Sequence, residues 1–175
     1  MIPNALAMDV NPKCEVTMKD LPVDQDYELW VLLAQVRETM FKARQKELQR
    51  YNISPRQSAV LFIINAIGDK VTPAEVSRWL LRESHSVSEI LSRMEKQGLL
   101  RKVKNLDRKN LVGVELTEKG IEAYNQSLRR ESIHRIMSYL SDEERRQLYA
   151  ILKTLRDRAL RESGKELRIL FPPSK

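Results

Sequence analysis

The 175-residue sequence has one cysteine, two histidines and five glycines, and no apolar run near the roughly 20 residues that a membrane-spanning helix needs. A single thiol, Cys14, excludes an intrachain disulfide and fits a reducing compartment. His85 and His134 stand far apart with no cysteine cluster beside them, so no metal-ligand set is expected. No glycine-rich loop is present to cradle a phosphate. Catalysis requires a converging nucleophile and base, or paired carboxylates in a cleft, and nothing of that kind stands out. Neither an enzyme nor a cofactor is therefore expected. The opening stretch MIPNALAMDVNPKCEVTMKD lacks a basic start followed by an apolar block, which points to a cytoplasmic protein with no membrane partner.

What the chain does carry is positive charge. Its 31 Lys and Arg against 24 Asp and Glu leave a net +7, an excess that suits a polyanionic partner but equally a merely soluble basic surface. Where the cations stand has to decide.

Residues 1–22, with Pro3, Pro12 and Pro22, read as a tail. From Asp26 to about Arg50 there is no Gly or Pro, and Leu29, Leu33, Val36, Met40 and Ala43 recur at helical spacing, with Trp30 and Phe41 widening the stripe. Three later helix starts carry a hydroxyl residue followed three positions on by an acceptor: Ser54 with Gln57, Thr72 with Glu75, and Ser141 with Glu144. Pro55 and Pro73 stand at the first helical position of two of them. The spacing predicts a second helix from Pro55 to Ile67, stopped at Gly68. A short third runs from Pro73 to about Leu81, with Ala74, Val76 and Leu80 inward. A fourth, capped by Ser84, reaches Gln97 on a buried stripe of Val87, Ile90, Leu91 and Met94 and ends at Gly98. Leu99–Val103 and Leu111–Leu116 read as the arms of a hairpin. Thr117 caps a long fifth helix to about Tyr139, and a sixth reaches about Glu162 with Leu148, Ile151, Leu152, Leu155 and Ala159 on one face. The closing ELRILFPPSK is an apolar patch or a frayed tail.

A short helix, a tight turn and a second helix followed by a β-hairpin make a winged helix-turn-helix: mainly α, with a small β-hairpin wing. The second helix of such a pair fits a major groove about 12 Å wide, and the hairpin reaches the neighbouring minor groove. Arg108 then forms the wing tip, because a narrow minor groove concentrates negative potential and a guanidinium sheds water readily. Asp107 fits there as a partner that fixes the loop, and Lys109 adds charge.

The stretch SEILSRMEKQGLLRKVKNLDRKNLVGVELTEKG, residues 88–120, resembles the MarR family of bacterial transcription factors. The likeness rests on Met94, Gly98, Leu99, Leu100 and Arg101, then Asp107, Arg108 and Lys109, then Leu116, Thr117 and Gly120. It implies a homodimer with long N- and C-terminal dimerisation helices, residues 23–52 and 118–175, and a winged-helix DNA-binding domain over 53–117. It further implies a repressor of adjacent genes that reads a pseudo-palindromic operator in double-stranded DNA and is released by a small aromatic effector. Trp30, Tyr51 and Trp79 are candidates to border the effector space, or core residues. The 1–22 tail is longer than the family usually carries. A peroxide-sensing branch uses an N-terminal cysteine within the dimer helices; Cys14 precedes them and reads as incidental. Two further readings share the fold, an architectural DNA binder and a protein-interaction module without small-molecule control. A cationic wing tip argues against the second.

The base-reading candidates are His85, Ser86, Ser88, Glu89 and Ser92 on the fourth helix, since the N-terminal part of a recognition helix makes most base-edge contacts. Glu89 can accept from a cytosine amino group, or pair with Arg93 one turn on. Phosphate contacts are expected from Arg78, Arg82, Arg93 and Lys104, with Ser54 and Arg56 at the start of the second helix, where free amides favour an anion.

Overall fold

The computed structural model describes residues 24–68, 71–104 and 112–164. The wing tip Asp107–Arg108–Lys109, the 1–22 tail and the closing ELRILFPPSK lie outside them. The described elements are α1 (Gln25–Leu48), a 3-10 turn (Gln49–Tyr51), α2 (Pro55–Ile67), α3 (Pro73–Leu80), α4 (Ser84–Lys96), β1 (Leu100–Lys104), β2 (Val112–Leu116), α5 (Glu118–Ser127), α6 (Glu131–Met137) and α7 (Asp142–Glu162).

The chain divides between Arg37 and Glu38 into two compact units. In the first, the start of α1 exposes Leu29, Leu32 and Leu33 as well as Tyr27 and Trp30, whose rings stack at 5.6 Å.

In the second unit the three marked helix starts form as full capping boxes. Ser54, Thr72 and Ser141 each accept from the amide three residues on, and Gln57, Glu75 and Glu144 each accept back from the capping residue. The hydrogen bonds from Ser141 hold the Glu144 carboxyl below its ordinary range. Two further helix details differ from expectation. Glu83, not Ser84, stands at the cap of α4, and the turn before it is held from α3 by Ser77. Ala74 is exposed, and Ser77 takes an inward place beside Val76.

The core is a single cluster under α2, α3, α4 and the hairpin. Leu61, Val60, Val76, Val87, Met94, Leu100 and Val114 are fully buried there, with Leu48 from the end of α1. Leu100 pairs with Leu116 and Lys104 with Val112 in an antiparallel register, and the Val114 amide donates to Val71 O at 2.7 Å, adding a one-residue third edge to the hairpin.

The expected fifth helix is two. α5 ends at Ser127, Arg130 takes a left-handed φ of 48°, and α6 starts at Glu131. No glycine or proline forces this break. A buried pair on α1 holds it open: Arg44 donates to Ser127 O, and Glu47 accepts from the amides of Glu131 and Ser132. On α7 the apolar face of Ile151, Leu152 and Leu155 is exposed, as is Tyr149.

Candidate nucleic-acid interface

The turn between α3 and α4 is set by Leu81, which adopts a left-handed φ of 53°, and by Ser77. Ser77 O accepts from the Arg82 amide at 3.1 Å, while its hydroxyl donates to Arg82 O at 2.5 Å. This closed ring fixes where α4 begins and where Arg82 stands.

Along α4 the i, i+4, i+7 stripe of Val87, Leu91 and Met94 is buried. The opposite side therefore presents His85, Ser88, Glu89 and Arg93, all exposed, with Ser86 and Ser92 half-buried. The Ser88 hydroxyl donates to Ser84 O at 2.9 Å, so it faces a partner chiefly as an acceptor. Among the described residues no ion pair joins Glu89 to Arg93, which leaves both heads available.

Two concavities gather the expected residues. The first, of about 320 Å³, lies between the C-terminal half of α1, the start of α2 and α4. It brings together Ser54, Arg56, Arg82, Ser86, Glu89 and Arg93, with Phe41 and Ile90 as apolar wall. The Arg56 guanidinium lies 5.7 Å from the Phe41 ring centroid, a cation–π contact that keeps it over the cleft. Three arginines against one glutamate make this wall net positive. The second follows the outer side of α4 through Ser88, Glu89, Ser92, Arg93 and Lys96. Lys96 was not among the sequence candidates; its spacing of four from Ser92 is the signal that would have found it. Arg78 stands exposed on α3 and lines neither concavity. Lys104 ends β1, and its side chain lies outside the described residues, as do Asp107, Arg108 and Lys109.

The last turn of α4 is tied down from three sides. Gln57 Nε2 donates to Gln97 Oε1 at 2.5 Å, Lys119 Nζ to Gln97 O at 2.8 Å, and the Thr117 hydroxyl to Gly98 O at 2.6 Å. At the wing base Lys102 pairs with Glu95 at 2.7 Å and Arg101 with Glu115 at 3.1 Å. Lys102 thus ties the hairpin to α4, and Arg101 ties its two strands to each other. No cluster of His, Cys, Asp and Glu able to hold a metal occurs among the described residues, and none of their helices is long and apolar enough to cross a membrane.

The sequence profile of the MarR family matches residues 51–109, which run from the 3-10 turn through α2, α3, α4 and β1. An organohalide-sensing transcriptional regulator, RdhR, solved with 2,4-dichlorophenol bound, is 32% identical, with a TM-score of 0.79 over 91% of this chain and 98% of that one. The chain belongs to the MarR family. Among curated relatives, the transcriptional regulator PecS of Dickeya dadantii is 25% identical over 69% of this chain and 75% of its own. A mutant MarR of E. coli in complex with operator DNA shares the fold, at 22% identity and a TM-score of 0.70 over 75% of this chain and 95% of that one. These MarR-family relatives are transcriptional regulators, and the α3–α4 pair with its hairpin is the winged helix-turn-helix expected from the sequence. Tyr51 and Trp79 of this member pack half-buried against the core, while Trp30 is 63% exposed.

Proposed function

We propose that this MarR-family chain acts as a homodimer that binds a pseudo-palindromic operator, with α4 in the major groove and the wing in the adjacent minor groove, and represses neighbouring genes. The observation that carries it is the gathering of Ser54, Arg56, Arg82, Ser86, Glu89 and Arg93 around one cleft beside an α4 whose polar side is open. His85, Ser86, Ser88, Glu89 and Ser92 are assigned to base edges, and Ser54, Arg56, Arg78, Arg82, Arg93 and Lys104 to phosphates. Asp107, Arg108 and Lys109 are assigned to the minor groove. The reading divides the chain into a 1–22 tail, a winged helix over 53–117 and dimer-forming segments over 23–52 and 118–175. Exposed apolar residues on α1 and on α7 suit burial against a second copy.

Release is assigned to a small aromatic acid or phenol. The solved form of RdhR with 2,4-dichlorophenol supports that class, and here a cleft with an aromatic wall and three arginines would hold the carboxylate or phenolate form of such a ligand in competition with a phosphate.

The test is anisotropy titration and footprinting on the DNA upstream of the chain's own and neighbouring genes. A two-half-site footprint, with binding weakened by Arg108→Ala in a dimer that stays folded, is expected. Uniform affinity for unrelated duplexes, or full affinity in the Arg108→Ala variant, would overturn the respective assignment.

A further inference from the structure

The break between α5 and α6 is where the chain leaves the winged helix. α5 belongs to the head, with Ala123 and Tyr124 in or against the core, whereas α6 leads on into α7 and its exposed apolar face. At the junction Arg130 holds a left-handed φ of 48°, which a residue with a Cβ does not adopt by preference, and its guanidinium lies 5.7 Å from the Phe62 ring centroid. Both cut helix ends are satisfied from one place on α1. Arg44 Nη2 donates to the carbonyl of Ser127, the last residue of α5. The Glu47 carboxylate accepts from the amides of Glu131 at 2.9 Å and Ser132 at 3.0 Å, and from the Ser132 hydroxyl. Arg44 and Glu47 pair at 2.6 Å with side chains 9% and 4% exposed.

The same backbone groups have a second way to be satisfied. A straight α5–α6 helix would close its own i to i+4 bonds through residues 127–132 and leave Arg44 and Glu47 as an uncapped buried pair. A buried ion pair is seldom a better filler than apolar side chains, so its worth lies in choosing between alternatives. Here the alternatives differ in the direction in which α6 and α7 leave the head.

We infer that Arg44 and Glu47 are positioning residues that hold the α5–α6 joint bent and so set the separation of the two reading helices in the dimer. The last clause rests on the function proposed above; the clamp within one protomer does not. Neither residue touches DNA. Their part in recognition is to define which half-site spacing is read, since each α4 needs its own major groove about one helical turn from the other.

The experiment measures the joint within a single protomer. Spin labels are placed at Lys96→Cys on α4 and Lys153→Cys on α7 in a Cys14→Ser background, and labelled chains are diluted in unlabelled ones. Wild type is expected to give a narrow distance distribution, Glu47→Gln one about twice as wide, and the Glu47→Gln/Arg130→Gly double variant one narrower than the single variant's, because glycine takes the positive φ without the steric cost that Arg130 meets there. In parallel, wild type should prefer one half-site spacing over spacings altered by two base pairs by at least about tenfold. That preference should fall in Glu47→Gln and return in part in the double variant. Loss of the fold alone would not be rescued by adding a glycine. Should Glu47→Gln fail to fold, Ser132→Ala removes one donor, leaves both amides capped, and is expected to broaden the distribution in part.

An unchanged width in Glu47→Gln, while amide exchange at Glu131 and Ser132 has accelerated, overturns the clamp. So does a double variant as wide as the single one, or, where Ser132→Ala must stand in, an unchanged width in that variant. A wild type that binds no operator defeats the functional reading instead, and the label distances still decide the joint.

Discussion

The Thr117 hydroxyl donates to Gly98 O at 2.6 Å and accepts from the Gly120 amide at 3.1 Å. One oxygen thus caps α5 and ties it to the end of the recognition helix α4. Behind it the backbones come so close that a Cβ on Gly120 would stand 1.9 Å from Leu99 O. A backbone carbonyl cannot swing aside as a side-chain tip can. Gly120→Ala is therefore expected to cost about 3 kcal/mol in urea unfolding, at the upper end of overpacking costs. Thr117→Val should cost about 1–2 kcal/mol through the lost cap and bridge. A Gly120→Ala chain as stable as wild type would show that α5 and the α4–β1 turn are not in contact as described.

Glu47 gives the fold an acid dependence whose sign can be worked out. Burial by itself would raise its pKa, but the hydrogen bonds from Ser132 and Arg44 and the Arg44 charge outweigh that and lower it from 4.5 to about 2. The carboxylate is thus favoured in the folded state, so the stabilisation is present above pH 4.5 and disappears as pH falls toward 2. A depression of this size corresponds to about 3 kcal/mol. Glu47→Gln should unfold more readily than wild type at pH 7, and the gap should close as both are titrated through that acid window. A gap independent of pH would remove Glu47 as its source.

Arg56, Arg82 and Arg93 share one cleft, so their replacement tests phosphate binding as a group. Each arginine that neutralises a phosphate is expected to lower the slope of log affinity against log salt by about 0.9 when changed to alanine. The loss should be similar on operator and on unrelated duplex. Glu89→Ala, by contrast, should relax preference at one base pair and leave the salt slope as it was. If the triple alanine variant keeps the wild-type slope, these residues do not meet phosphates.

Leu152 is 41% and Leu155 49% exposed on α7. In the proposed dimer this face is covered, and a charge at its centre leaves an unpaired ion out of water, so Leu152→Glu or Leu155→Glu should lower the association constant by at least about a hundredfold. Light scattering at micromolar concentration would then report a monomer. Far-UV circular dichroism should stay near wild type in Leu152→Glu, since that face is already open within one chain. A dimer of undiminished affinity would place the interface elsewhere.

Most of the helix map was legible in the sequence, for a local reason. A cap at Ser54, Thr72 or Ser141 and its acceptor three residues on are decided within one turn, and the α4 stripe of Val87, Leu91 and Met94 is a property of that helix alone. Two local readings went the other way. Ser84 does not cap α4, and Ala74 is exposed, while Ser77 turns inward and closes the α3–α4 turn. A serine inside a helix carries no local sign of that role.

The sequence by itself determined the three capped helix starts at Ser54, Thr72 and Ser141, the buried stripe of α4 and the hairpin that follows it, since each depends on neighbours within a few residues. Only the tertiary structure decided that α5 and α6 are separate, that Val71 pairs with Val114, and that Ser54, Arg56, Arg82 and Arg93 share a cleft. The partners that open the α5–α6 break lie 83 to 85 positions away on α1. No pattern within Leu128–Arg130 encodes them, because a helix end can be satisfied by any buried donor or acceptor that the packing delivers.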